Sequence, residues 1–161
     1  MNNVDEIKDS IIKLKNEKNF YGILSTLELI KISYQEKNNE KSIILYDELL
    51  GNKNLDNIYK SAIGSKAAYE FININFQDLN KDYSQAIENF ISFIDDQLVN
   101  YQGIKLELNY LLKILDAKKN NIKYLSYQEA LDLYENIMNS DTASSSLKER
   151  IKNIHEFFYY Q

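Results

Sequence analysis

The sequence predicts an all-α protein of about eight helices. The chain has no proline and only four glycines in 161 residues, so helix breakers are scarce. Apolar residues recur at spacings of three and four along most of it. Matching positions also reappear at an interval of 44 residues, as expected if pairs of helices repeat.

Taken in order, helix 1 is expected at about Val4 to Asn16, with Ile7, Ile11 and Leu14 as its apolar stripe. Asp5, Glu6 and Asp9 stand near its positive dipole end. Helix 2 spans about Phe20 to Gln35, and helix 3 about Asn39 to Leu50, where Gly51 and Asn52 suit a left-handed stop. Helix 4 covers about Leu55 to Phe76. Helix 5 opens on Asp82 as N-cap and continues to about Val99, with Gly103 separating it from helix 6 at about Ile104 to Lys119. Helix 7 starts after Ser126 and ends near Asn139. The polar stretch from Ser140 to Ser146 is linker-like and precedes a last helix from about Leu147 to Tyr159.

Composition narrows the function classes. At 44% hydrophobic and 27% charged residues the chain belongs with folded domains. The absence of cysteine excludes thiol catalysis, disulfides and cysteine-ligated metals, and a single histidine excludes a His-rich site. A net charge of −5, a pI near 5.0 and a lone arginine, Arg150, argue against a nucleic-acid partner. The first residues, Met1-Asn2-Asn3-Val4-Asp5-Glu6, lack the basic and apolar regions of a secretory signal. Apolar runs are a few residues long, far short of the roughly 20 that a bilayer needs. No membrane association and a cytoplasmic location are the expectation.

The 44-residue offset superimposes three helices. Candidate caps Asn38, Asp82 and Ser126 fall in one column, followed by the small residues Ser42, Ala86 and Ala130. Next come Ile43, Ile87 and Leu131, the aromatics Tyr46, Phe90 and Tyr134, then Leu49, Phe93 and Ile137, and Leu50, Ile94 and Met138. The preceding helices obey the same offset, through Ile23, Ala67 and Leu111, then Leu24, Ala68 and Leu112, then Leu27, Phe71 and Leu115. Other columns break: Ile44 faces Glu88 and Asp132, so the repeat is degenerate. A small residue one turn before an aromatic lets a neighbouring helix approach closely while the ring fills the gap beside it.

The segments Tyr83 to Phe90 and Tyr127 to Tyr134 resemble the second helix of a tetratricopeptide repeat, although the 34-residue length and the proline of that repeat are missing. The period is more similar to HEAT or armadillo units. That resemblance spans residues 20–139 and implies a right-handed stack of antiparallel helix pairs with a concave face, a shape that binds proteins or peptides. The expected organisation is one helical-repeat domain over 1–161. A capping helix covers 1–18, three helix-pair repeats cover 20–139, and a C-terminal helix covers 147–160.

Catalytic patterns are scarce. His155 is the one candidate imidazole base and reads as structural or exposed, between Ile154 and Glu156. No nucleophile-elbow, P-loop or dinucleotide motif occurs. The acidic groups Asp5, Glu6, Asp9; Asp47, Glu48; Asp95, Asp96; and Glu129, Asp132, Glu135 lack di-iron or EF-hand spacing and read mostly as solvated faces. No cofactor or metal is expected, and the chain reads as a non-enzyme. If the second helices lie side by side, Glu48, Glu88, Asp95, Asp96, Asp132 and Glu135 form one acidic ridge flanked by Tyr101 and Tyr127, diluted by Lys41, Lys81 and Lys123. Such a ridge suits a basic protein surface.

The expected function is therefore a protein-binding module, specifically an immunity protein or antitoxin that neutralises a co-encoded, basic toxin by stoichiometric binding; this last step is an analogy of class. The alternative is an adaptor or scaffold subunit recognising a peptide or helix of a larger complex. A helical enzyme acting through carboxylates is a third class. Aromatics near the C-terminus allow a homodimer, which is not the expectation.

Overall fold

The computed structural model describes residues 2–17 and 19–160, with side chains from Glu6 onward. Asp5, expected at the dipole end of the first helix, has its side chain outside the described residues. Among the described residues all regular structure is helical: α1 Asn2–Lys15, α2 Phe20–Gln35, α3 Asn39–Leu50, α4 Asn57–Gln77, α5 Ser84–Ser92, α6 Val99–Lys119, α7 Gln128–Asn139 and α8 Ser145–Tyr159, with a 3-10 turn at Tyr124–Ser126. No described helix is long and apolar enough to cross a membrane. The contacts divide the chain into two compact units, Met1–Leu55 and Asp56–Gln161.

In the first unit α2 packs against both α1 and α3. Asn19 starts α2 by accepting from the Tyr21 and Gly22 amides at 2.9 and 3.3 Å, and Asn38 starts α3 by accepting from the Lys41 amide at 3.1 Å. The small residues Ser33 and Ser42 bring α2 and α3 close enough for their buried hydroxyls to bond at 2.6 Å. Leu29, Ile30, Leu45, Tyr46, Leu49 and Leu50 fill the core around that bond.

In the second unit α6 is the hub, touching α4, α5, α7 and α8. Ala67, Ala68 and Phe71 of α4 face Ile87 and Phe90 of α5, the Phe71 and Phe90 rings lying 5.6 Å apart. Gly64 sits where a methyl group would come 2.7 Å from the Phe90 carbonyl oxygen, so the missing side chain sets how closely α4 approaches α5. A further core joins Tyr110 and Ile114 of α6 to Ala130 and Ile137 of α7 and Leu147 and Ile151 of α8.

Four expectations about element ends are corrected. The break expected at Gly103 lies earlier, because α5 ends at Ser92 and α6 already begins at Val99. The Asp95 amide donates to the Ser61 hydroxyl, its carboxylate accepts from the Gln97 amide, and Lys105 donates to the Ile94 carbonyl, so the turn is tied on three sides. Gly103 remains helical, and an added methyl there would meet the Leu147 side chain at 3.4 Å, an ordinary contact. Gly51 is right-handed, with φ −71°. Among the described residues the left-handed ones are Lys37 and Asn121, each closing a helix through a bond from the following amide, Asn38 to Ser33 and Ile122 to Ala117. Finally, of the three aligned caps only Asn38 caps its helix as expected. Asp82 accepts from the Ser84 amide but lies two residues before α5 begins, with Tyr83 in the N-cap position, and Ser126 belongs to the 3-10 turn.

Burial follows the repeat unevenly. Tyr46 and Phe90 are both fully buried, as are Leu50 and Ile94, whereas Tyr134 and Met138 are half-buried. Leu24 is exposed although its partners Ala68 and Leu112 are core. The buried set of α2, from Ser25 to Ser33, matches that of α4, from Ala67 to Asn75, at 42 residues rather than 44.

Candidate functional site

The expected ridge residues fall into three places. Glu48 is in the first unit, on α3, paired with Lys15. Asp95 and Asp96 occupy the α5–α6 turn. Asp95 is half-buried and bonded to Asn57 and Gln97, which makes it a piece of the turn, while Asp96 is exposed and held below the usual carboxylate range by the Gln97 amide and Lys105. Tyr101 is half-buried on α6. Glu88, Asp132 and Glu135 are exposed on α5 and α7, and Asp132 accepts from Gln128 at 2.7 Å. Tyr127 is half-buried at the start of α7, where burial pushes its phenol up.

The helices α5 and α7 each lie on α6 and not on each other. Their acids nevertheless converge on a residue that sequence reasoning did not single out, Asp116. Burial pushes its carboxyl up, and the charges of Glu88 and Glu129 add to that push against Lys113 and Lys119. Both lysines have other carboxylates to serve: Lys113 pairs with Glu129 at 2.6 Å, and Lys119 pairs with Asp82, whose carboxyl falls to about 2. Glu88, Asp116 and Glu129 thus come together from α5, α6 and α7 beside two engaged lysines. Asp116 was hidden because its acidic neighbours lie on other helices. Among the described residues, no three acidic or histidine side chains are grouped to hold a metal ion.

A second constellation surrounds the single histidine. Tyr110 and Tyr124 share a hydroxyl bond of 2.5 Å, and the Tyr124 hydroxyl lies 2.5 Å from His155 Nδ1. The His155 ring stacks on Tyr134 at 3.9 Å and 14°. Tyr110 is fully buried, so its proton must be placed. If it donates to Tyr124, and Tyr124 donates to a neutral Nδ1, every group is satisfied; the reverse polarity leaves the Tyr110 proton stranded. Burial also holds the imidazole below its usual range. The chain of three is therefore built for a neutral histidine. Beside it, a half-open groove of about 400 Å³ lies between α6, the 3-10 turn and α8.

The lone arginine is also committed to structure. Arg150 on α8 donates through Nε and its terminal nitrogen to the buried Glu107 of α6 at 2.9 and 2.8 Å. Tyr69 of α4 joins them, its phenol pushed up by burial and by the Glu107 charge. Compared with known proteins, the chain matches no family model, no curated protein and no solved structure. The site therefore has to be read from its own geometry.

Proposed function

We propose that this chain is a non-catalytic protein-binding module acting in the cytoplasm, and that its partner is a co-encoded toxin with a basic surface, which it neutralises as an immunity protein by stoichiometric binding. The observation that carries this reading is the convergence of α5 and α7 acids on Asp116, a concentration of negative charge on a helical face. Such a face raises the encounter rate with a basic protein. The half-buried Tyr127 beside it offers an aromatic anchor of the kind enriched at interfaces. The test is co-purification of this chain with the product of the adjacent gene. A one-to-one complex that Glu88→Lys with Glu129→Lys disrupts supports the reading, whereas no complex, or one indifferent to both changes, opposes it.

The adaptor reading is favoured by a different observation. Leu125 of the 3-10 turn and Phe157, Tyr159 and Tyr160 of the C-terminal residues are exposed, with Tyr160 83% accessible. Exposed apolar side chains of this kind suit a peptide or helix of a larger assembly. Capture of such a subunit, with a harmless adjacent gene, would select it.

A further inference from the structure

The last helix is held unevenly along its length. The buried residues of α8, Leu147 and Ile151, both lie in its first half, where Arg150 adds its pair with Glu107 of α6. The second half is fixed through rings. His155 stacks on Tyr134 of α7 and meets the Tyr124 hydroxyl, and Phe158 stacks on Phe76 of α4 at 6.0 Å. Ile154, His155 and Phe158 are half-buried, and the other side chains from Lys152 to Tyr160 are exposed. The groove beside these rings has Phe158 and Tyr159 on its α8 side and Ile114, Ala117 and Tyr124 opposite.

A protonated imidazole donates from both nitrogens. Tyr124 would then have to accept from Nδ1 and turn its own proton to Tyr110, which leaves the fully buried Tyr110 hydroxyl without an acceptor. If Tyr110 keeps donating, two protons face each other between Tyr124 and His155. The titratable groups around the imidazole are Tyr110 of α6, Tyr124 of the 3-10 turn and Tyr134 of α7, with Glu156 and Tyr159 on α8 itself. Lys118 of α6 stands over the neighbouring Phe158 ring. Burial pushes the Tyr110 and Tyr124 phenols up, so neither supplies a counter-charge to an imidazolium. Glu156, whose charge favours the imidazolium, also meets Lys152 at 3.7 Å.

We propose that residues 152–160 form an acid-released strap: protonation of His155 frees them from α7 and the 3-10 turn, while Leu147, Arg150 and Ile151 keep the first half of α8 seated. Release uncovers an apolar surface built from Phe76, Ile114, Tyr124 and Tyr134, which the rings of the strap cover at neutral pH. The opening is local and uses none of the acids on which the proposed binding rests.

Hydrogen exchange of the full chain, resolved by segment and corrected for the intrinsic effect of pH, tests this by comparing residues 152–160 with α4 and α5 at about pH 7.5 and about pH 5.5. The strap should be less protected than α4 and α5 at both values. Its protection should fall several-fold on acidification, with about tenfold as the ceiling for one imidazole whose ordinary value is 6.5. His155→Phe should abolish that fall. The imidazole resonances of the single histidine give a second readout that needs no variant, and they should titrate over the interval in which the strap loses protection. Protection equal to that of α4 and α5 would overturn the proposal, because α8 would then open only with the whole unit. Protection unchanged between the two pH values, a fall that His155→Phe retains, or an imidazole titrating outside that interval would also overturn it.

Discussion

His155 and its two tyrosines show how a residue unremarkable in the sequence acquires a defined chemical state. Its ordinary value is 6.5, and burial lowers it in the native protein. Below about pH 6.5 the unfolded chain therefore binds more protons than the folded one, so stability is full above that value and falls as the pH drops through the window beneath it. Urea unfolding between about pH 7.5 and about pH 6 should show this decline, and His155→Phe, which keeps a ring on Tyr134, should remove it. A wild-type stability that is flat across that interval would contradict the neutral chain. Tyr124→Phe removes the central hydroxyl and leaves the buried Tyr110 proton without an acceptor, for an expected loss of roughly 1–3 kcal/mol in denaturant midpoint measurements. The sequence singles out His155 but not Tyr124, because the contact spans 31 residues and depends on how α8 packs. By contrast, local pattern alone reads Tyr46 and Tyr134 as core and Tyr159 and Tyr160 as exposed; Tyr46 is buried and the two terminal tyrosines are exposed, whereas Tyr134 is half-buried and stacks on His155.

At the scale of elements, helix periodicity was readable wherever a stripe ran unbroken: α2 and α3 occupy the expected residues. The errors cluster where tertiary bonds override local preference. Gly103 looks like a breaker and lies inside α6, while the real break depends on Ser61, which is 34 residues from the Asp95 amide it accepts. Ser61→Ala would leave that amide without its acceptor, and a loss of about 1–2 kcal/mol is expected from thermal or urea unfolding. Gly64→Ala tests the notch between α4 and α5. The helix-propensity gain of about 1 kcal/mol is set against a methyl group 2.7 Å from backbone oxygen, and overpacking of this kind costs roughly 1–3 kcal/mol. A lower melting temperature is expected, and an increase would show that α4 can shift without penalty. The repeat itself was legible as small and aromatic columns, yet its register slips between α2 and α4, where Leu24 is exposed and Ala68 buried.

Over the whole molecule, a net charge of −5 sets the sign of the long-range field, while the folded arrangement decides where that field is strongest. The acids of α5, α6 and α7 meet at Asp116, whereas Glu48 lies on the first unit and Asp95 is held in a turn. Association with a basic partner should slow as salt rises, because exposed charges are screened beyond roughly 10 Å at 0.1 M. Glu88→Lys with Glu129→Lys should flatten that salt dependence and slow association about tenfold or more in stopped-flow measurements. Composition gives the sign of that field and leaves open where it is strongest, since that depends on which helices flank α6.

The most direct test of the proposed function is growth of cells expressing the adjacent gene alone and together with this chain. The account predicts arrest with the neighbour alone, rescue by the wild-type chain, and loss of rescue by the doubly charge-reversed variant. A harmless neighbour, or rescue that the reversed variant retains in full, would contradict it.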